Sequence, residues 1–357
     1  RPDLRLDPKR FEPLVRREAQ RSCTWLSLRH NLFVRAGLPR TALLDRALGD
    51  KLARSRDRIW RLLATLHSPA DIDAARAAVE GRDPRPRASA LEYLDNVLEG
   101  GVRRMVMPLL DDMPEEERVR RGNVLISSRP RDVEETLLQL INDDDQVVAA
   151  SAILLAAEQG IWSLVDDIEH VLAHRAASDW FVFEAASWAL AAHRMPVERR
   201  RSLWHEPLPA VEVAARLALS PVFASTSVDE LFRLAESGRQ VRHDTGVTLY
   251  AGGQRPETIQ VLLDGTVTAT APGGASVELG PGAALAFEEA VQGIVMAASL
   301  QTTSRAVCLQ VSTDEARTLL AENPDLIEGL FRVIVDSAPF AGTASVVHGA
   351  GPAEPPA

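Results

Sequence analysis

Two cysteines, Cys23 and Cys308, are all that 357 residues contain. So few thiols, so far apart, exclude a disulfide framework and a cysteine metal site, and they point to a reducing compartment. No apolar run is long enough to span a bilayer as a helix, and no signal peptide opens the chain. Aromatic residues make up 5% of the sequence, with no basic-aromatic stripe, so a nucleic-acid partner is not expected. P-loop, dinucleotide fingerprint and nucleophile elbow are all missing, and no enzymatic activity is expected. The eight histidines are scattered. His170 and His174 lie four apart, the spacing of a shared helix face, but no third ligand stands beside them, and no metal is expected.

What is present is an uneven charge. The formal net charge is −10, yet residues 1–62 hold 16 Lys/Arg against 7 Asp/Glu, a net of +9. That asymmetry suggests a surface for an acidic partner or an anionic membrane at the N-terminal end. The chain begins with Arg1 rather than Met, and a fragment of something longer is the expectation. From Pro39 to Leu219 the sequence reads as helical. Leu44, Leu48, Leu52, Ile59, Leu62, Leu63 and Leu66 form an amphipathic stripe. Asp83, Asp145 and the Asp166-Asp167 pair stand where helices should start, with carboxylates facing free amides and the positive end of the dipole. Trp162, Trp180, Trp188 and Trp204 are expected to pack between helices. The last stretch, 341–357, is rich in Gly, Ala and Pro and is expected to be disordered.

From Gly246 to Val311 the pattern changes. Short runs of β-branched and small residues (Val247–Tyr250, Ile259–Leu263, Thr266–Thr270, Ser276–Leu279, Val307–Val311) are separated by Gly252-Gly253, Asp264-Gly265, Gly273-Gly274 and Gly280-Pro281-Gly282. Such spacing predicts an all-β barrel or sandwich, with Asp264-Gly265 as a tight hairpin. Ser227-Val228-Asp229-Glu230 has the form of a capping box ahead of a short helix. The order of glycines and strands, with that helix before and helical segments at Thr313–Glu322 and Pro324–Val335 after, resembles the cyclic-nucleotide-binding domain. The resemblance covers about a third of the chain, roughly Leu219 to Ser337, and implies a jelly-roll barrel and a cyclic nucleotide, cAMP or cGMP, as its ligand.

In that family a Gly-Glu pair leads to an Arg-Ala-Ala/Ser-Thr/Ser run. The Glu accepts from the ribose 2′-hydroxyl, and the Arg pairs with the phosphate. The matching stretch here, Phe287, Glu288, Glu289 and Ala290 followed by Met296, Ala297, Ala298 and Ser299, is a degenerate candidate ligand site. Met296 stands in place of the Arg. The Gly before Glu is absent, and either Glu288 or Glu289 is the candidate ribose partner, neither at the family's spacing from Met296. A charge-assisted hydrogen bond is worth roughly 1.5–3 kcal/mol. Losing it weakens binding by about two orders of magnitude once the unpaired ion is included.

The Asp-Pro-x-x-Arg-x-x-Ala-Leu-Glu-x-Leu pattern, present from Asp83 to Leu94 apart from one shifted Arg, resembles a HEAT repeat. Looser copies follow from Asp143 and Ser178, and they imply an α-solenoid. The expected fold is therefore α+β and multidomain: a basic segment 1–40, HEAT-like helical repeats 41–218, a cyclic-nucleotide-binding jelly-roll barrel with flanking helices 219–337, and a tail 338–357. Repeats followed by this barrel resemble the soluble C-terminal region of bacterial ADP/ATP-translocase-like transporter proteins. That resemblance implies a missing membrane domain, a cytoplasmic location at the inner face of the membrane, and a protein or membrane domain held by the repeats. The expected function is a non-catalytic regulatory or scaffolding module. The alternative is a working nucleotide sensor controlling the attached domain.

Overall fold

The computed structural model describes residues 8–175, 179–195 and 207–322. Its contacts divide into two compact units between Leu140 and Ile141. That division falls inside the stretch 41–218 that reads as one helical run. Residues 324–335 and 338–357, expected to be a closing helix and a tail, lie outside the described residues, as does Trp204. No helix among the described residues is long and apolar enough to cross a membrane.

The first unit is helical: α1 (Pro8–His30), a π-helical turn (Asn31–Arg35), α2 (Leu43–Leu66), α3 (Pro69–Glu80), α4 (Pro84–Val97), α5 (Gly100–Leu110), α6 (Glu115–Leu125) and α7 (Val133–Ile141). Asp83 caps α4 as the sequence suggests, accepting from the Arg85 amide at 3.0 Å. Consecutive helices from α1 to α6 pack on one another, and α1 also packs against α5 and α6. An open repeat array touches only its nearest neighbours; here the first helix closes the set. Val15 and Ala19 of α1 are fully buried, sharing a core with Ile59, Trp60, Leu63, Ile72, Leu94 and Val106. The basic N-terminal stretch is thus part of this core. Some of its charge is spent internally, as where Arg29 forks onto the buried Asp45 at 2.8 and 3.0 Å.

The second unit joins helices to a barrel. Its helices are α8 (Gln146–Glu158), α9 (Val165–His174), α10 (Trp180–Arg194), α11 (Ala210–Leu217) and α12 (Val228–Ser237). Ten consecutive residues of α8, Val147 to Ala156, are buried, as expected of a helix apolar all round. It packs against α10, α11 and α12, and Asp145 caps it by accepting from the amides of Val147 and Val148. The Ser227–Glu230 capping box is present at the start of α12. Trp180 departs from expectation. It is 54% exposed and stacks on Phe183, which is also exposed.

Eight strands follow among the described residues: β1 (Arg239–His243), β2 (Thr248–Tyr250), β3 (Thr258–Asp264), β4 (Val267–Thr270), β5 (Ser276–Leu279), β6 (Ala284–Leu285), β7 (Ser299–Thr302) and β8 (Ala306–Ser312). They form two antiparallel sheets, ordered β1-β8-β3-β6 and β2-β7-β4-β5. That order is an eight-stranded jelly roll. The expected hairpin at Asp264-Gly265 is not one, because β3 and β4 lie in different sheets. The pair instead turns a corner. Gly265 has φ +90, and a Cβ there would lie 2.2 Å from the Arg305 carbonyl oxygen. The glycine serves a close crossing of two chains. The Gly273-Gly274 turn, by contrast, does join paired neighbours, β4 and β5.

Ile259 to Leu263 of β3 are all buried. Such a run has apolar surface on both faces of the sheet. Leu262 faces the barrel core, and α11 packs against the same strand. Arg216 of α11 donates to the Leu263 carbonyl at 2.7 Å. The backbone of Leu208, just before α11, exchanges two hydrogen bonds with the Gln240 side chain of β1, at 2.8 and 2.7 Å. The helices from α8 to α11 therefore form one body with the barrel.

Gly265→Ala should lower stability by about 3–4 kcal/mol, combining backbone strain with a clash against an immovable carbonyl. Gly274→Ala should cost about 1–2 kcal/mol, because its φ is also positive (+82) but the space around it is open. Urea denaturation of both variants measures the difference.

Candidate functional site

The candidate cassette starts where β6 ends. Ala286 takes a left-handed backbone, φ 59 and ψ 19, and opens the short helix α13 (Phe287–Gln292). Alanine rarely adopts this conformation, which a glycine takes without cost. Gly293, also left-handed at φ 71, ends the helix. The chain then crosses the β2–β3 turn. The Met296 amide donates to Gln254 O, and the Gly253 amide donates to Met296 O, both at 2.8 Å. Two backbone bonds thus fix Met296 against the Gly252-Gly253 turn before β7 begins.

These bonds direct the side chains. Met296 is 4% exposed and lies in the barrel core with Tyr250, Leu262, Val267, Leu279, Leu300 and Cys308. Phe287, Ala290 and Ala298 are buried as well, whereas Ala297 is exposed. Ser299 is half-buried, and its hydroxyl oxygen accepts from the Gly252 amide at 3.0 Å. Glu288 is half-buried and accepts from the Gln292 side chain at 3.0 Å. Glu289 is 5% exposed. The eight residues share a backbone segment, with Met296 in the barrel core and Ala297 exposed.

Glu289 and Ala290 border a cleft of about 310 Å³ between α13 and the start of α14 (Thr313–Glu322). Arg255, Glu257, Asp314 and Arg317 line it too. Arg317 donates to the Ala290 carbonyl at 3.4 Å and lies 3.6 Å from Asp314. Burial pushes the Glu289 carboxyl above its ordinary value of 4.5, and repulsion from Glu288 adds to this, against the pull of its own backbone amide. Sequence spacing gives no sign of Arg255 and Arg317, because only the tertiary fold brings the β2–β3 turn and α14 to the same helix. Arg305, just before β8, lies away from the cassette. It is 66% exposed and 3.8 Å from Asp244.

Elsewhere, His170 and His174 stack with ring centroids 4.1 Å apart, and His174 Nδ1 donates to the His170 carbonyl at 2.9 Å. Among the described residues no group of three or more His, Cys, Asp or Glu is placed to hold a metal. Both cysteines are buried, and burial pushes the Cys23 thiol up to about 11 and that of Cys308 to about 12.

No protein-family model matches the chain, and no curated protein does. Solved structures similar to part of it include the catabolite activator protein of Thermus thermophilus, at 17% identity over 34% of this chain and 60% of that one, with a TM-score of 0.32. The N-terminal domain of a transcriptional regulator from Streptomyces coelicolor is 19% identical over 34% and 88% of the two chains, TM-score 0.30. The regulatory subunit of a cAMP-independent protein kinase A from Trypanosoma brucei is 16% identical over 39% and 46%, TM-score 0.31. The match spans less than two thirds of the first and third of these proteins. The jelly roll itself rests on the strand order in the two sheets.

Met296→Ala should destabilise the protein by about 2–4 kcal/mol through the cavity it leaves, read as a fall in the urea midpoint. Glu289→Gln should act differently. Well below pH 4.5 the carboxyl is neutral in folded and unfolded chains alike, so the variant should match the parent most closely there. As pH rises through the raised folded value, the unfolded chain ionises first and the native state loses stability. Glu289→Gln should then be the more stable protein, by a margin that opens as pH rises above 4.5 and levels off once the folded carboxyl is also ionised, read in thermal melts.

Proposed function

We propose that this chain is a non-catalytic regulatory and scaffolding module whose jelly roll keeps the cyclic-nucleotide-binding form without its phosphate site. The burial of Met296 carries this reading. A phosphate monoanion at that position would meet an apolar cluster with no counter-charge, and burying an unpaired ion is costly. The left-handed backbone at Ala286 supports aligning the family's Gly-Glu pair with Ala286-Phe287. On that register an apolar ring takes the place of the ribose-binding carboxylate. Glu288 and Glu289 are then free of that role, which fits the engagement of Glu288 with Gln292 and the burial of Glu289 towards α14.

The helices complete the module. Their HEAT-like patterns suggest a partner-holding scaffold, and the resemblance over Leu43 to Val335 suggests attachment to a transporter-like membrane domain at the cytoplasmic face. An anionic membrane surface for the basic N-terminal residues belongs to the same reading. The sensor alternative is favoured by one observation: Ala297, Ala298 and Ser299 keep the family's order, with the Ser299 hydroxyl beside the Gly252 amide.

Calorimetric titration of the full chain with cAMP and with cGMP separates the two. The expected result is no saturable binding up to roughly 1 mM, which corresponds to less than about 4 kcal/mol of binding free energy. Micromolar binding of either nucleotide would overturn the scaffold reading and make the barrel a sensor with a rewired phosphate site.

A further inference from the structure

A cleft of about 430 Å³ opens in the first unit, among α2, α3, α4, the end of α5 and α6. Its size falls within the roughly 300–1,000 Å³ of small-molecule sites. Four arginines line it, each from a different helix: Arg56, Arg76, Arg87 and Arg118. Their sequence positions show no cluster, and the fold gathers them.

The four are not equivalent. Arg76 is spent on carboxylates, with Nη1 2.6 Å from Asp57 and Nε 3.2 Å from Glu80. The others keep donors in hand. Arg87 reaches a single carboxylate, that of Asp112, through Nη1 at 2.9 Å. Arg118 is held by neutral groups alone: its Nη2 donates to the carbonyls of Asp111 and Met113 at 3.1 and 3.2 Å. The Nε atoms of Arg87 and Arg118 are sealed from solvent without a hydrogen-bond partner. Packing therefore fixes these two guanidinium groups while neither uses its fork on a bidentate carboxylate. Arg56 is exposed. Among the described residues neither Arg56 nor Arg118 has a carboxylate partner. The carboxylates bordering the cleft are themselves engaged, Glu80 by Arg76 and Asp111 by the Asp112 amide at 2.8 Å. Planar guanidinium forks with unused donors match phosphate oxygens in geometry and charge. Fixed side chains also lose less entropy on binding. Val79, Leu109 and Leu110 add an apolar wall.

We propose that this cleft binds a small diphosphate-bearing molecule, its anionic head held by Arg56, Arg87 and Arg118 and its body against the apolar wall. The site is separate from the barrel cassette and does not depend on how the cassette behaves.

Inorganic pyrophosphate, the head alone, is the probe. It is titrated into the full chain by calorimetry at constant ionic strength. Saturable binding with a Kd of roughly 0.1 mM or tighter is expected. Arg56→Gln should weaken it about tenfold, and the Arg56→Gln/Arg118→Gln pair about a hundredfold, one charge-assisted contact at a time. Arg56 is exposed and without a carboxylate partner, so its variant should fold as the parent does; circular dichroism checks this. Arg40→Gln, an exposed arginine outside the cleft, should change nothing. The proposal is overturned if the parent shows no saturable binding at millimolar pyrophosphate. It is equally overturned if Arg56→Gln binds like the parent, or if Arg40→Gln loses as much.

Discussion

The burial of β3 on both faces organises the second unit. Ile259 to Leu263 have no solvent-facing side, so one face of the strand must meet the barrel core and the other must be covered. Helix α11 covers it, tied down by the bond from Arg216 to the Leu263 carbonyl. Helix α11 in turn needs α8, whose apolar surface runs all round and must be enclosed. Each step follows from the cost of leaving apolar surface in water, about 25 cal/mol per Å². The helices before the barrel therefore belong to its structure, and the two compact units divide at Leu140, well before the first strand.

The same apolar interior takes in part of the candidate cassette, Ala286 and Met296. An arginine at a barrel wall serves a phosphate only if its charge stays hydrated or paired. Met296 is buried in one cluster with Tyr250, Leu279 and Leu300, where a flexible thioether suits an irregular gap. Ala286 adopts a backbone that glycine takes more cheaply, and the rest of the fold holds it there. The turn is left-handed, and Phe287 and Met296 beside it are buried. The cations near α13, Arg255 and Arg317, approach from the side of α14, where the buried Glu289 sits.

The first unit shows a different balance. Arginines outnumber acids at its N-terminal end, yet many are paired within the fold, as Arg29 is with Asp45 and Arg76 with Asp57. What remains available depends on which guanidinium groups pairing leaves unspent. Arg56 and Arg118 are such groups, and they sit on α2 and α6, far apart along the chain.

Local features were legible in the sequence because their causes are local. Asp83 and Asp145 cap helices with their own side chains, and Ser227 with Glu230 closes a box within four residues. Strands β2 to β5 and β8 could be read from β-branched runs and glycines, while β1, β6 and β7 were missed, being polar, very short, or adjoining the cassette. That residue 296 is an uncharged methionine needed no structure either. Other features were decided only in three dimensions. Gly265 reads as a hairpin residue, but the Arg305 carbonyl that demands it is 40 positions away. Neither the closure of α1 onto α5 and α6, the joining of α8 to α11 with the barrel, nor the gathering of arginines around one cleft has a local signature. Each depends on packing between segments distant in the chain, and sequence periodicity shows which face of a helix is apolar without showing which surface will cover it.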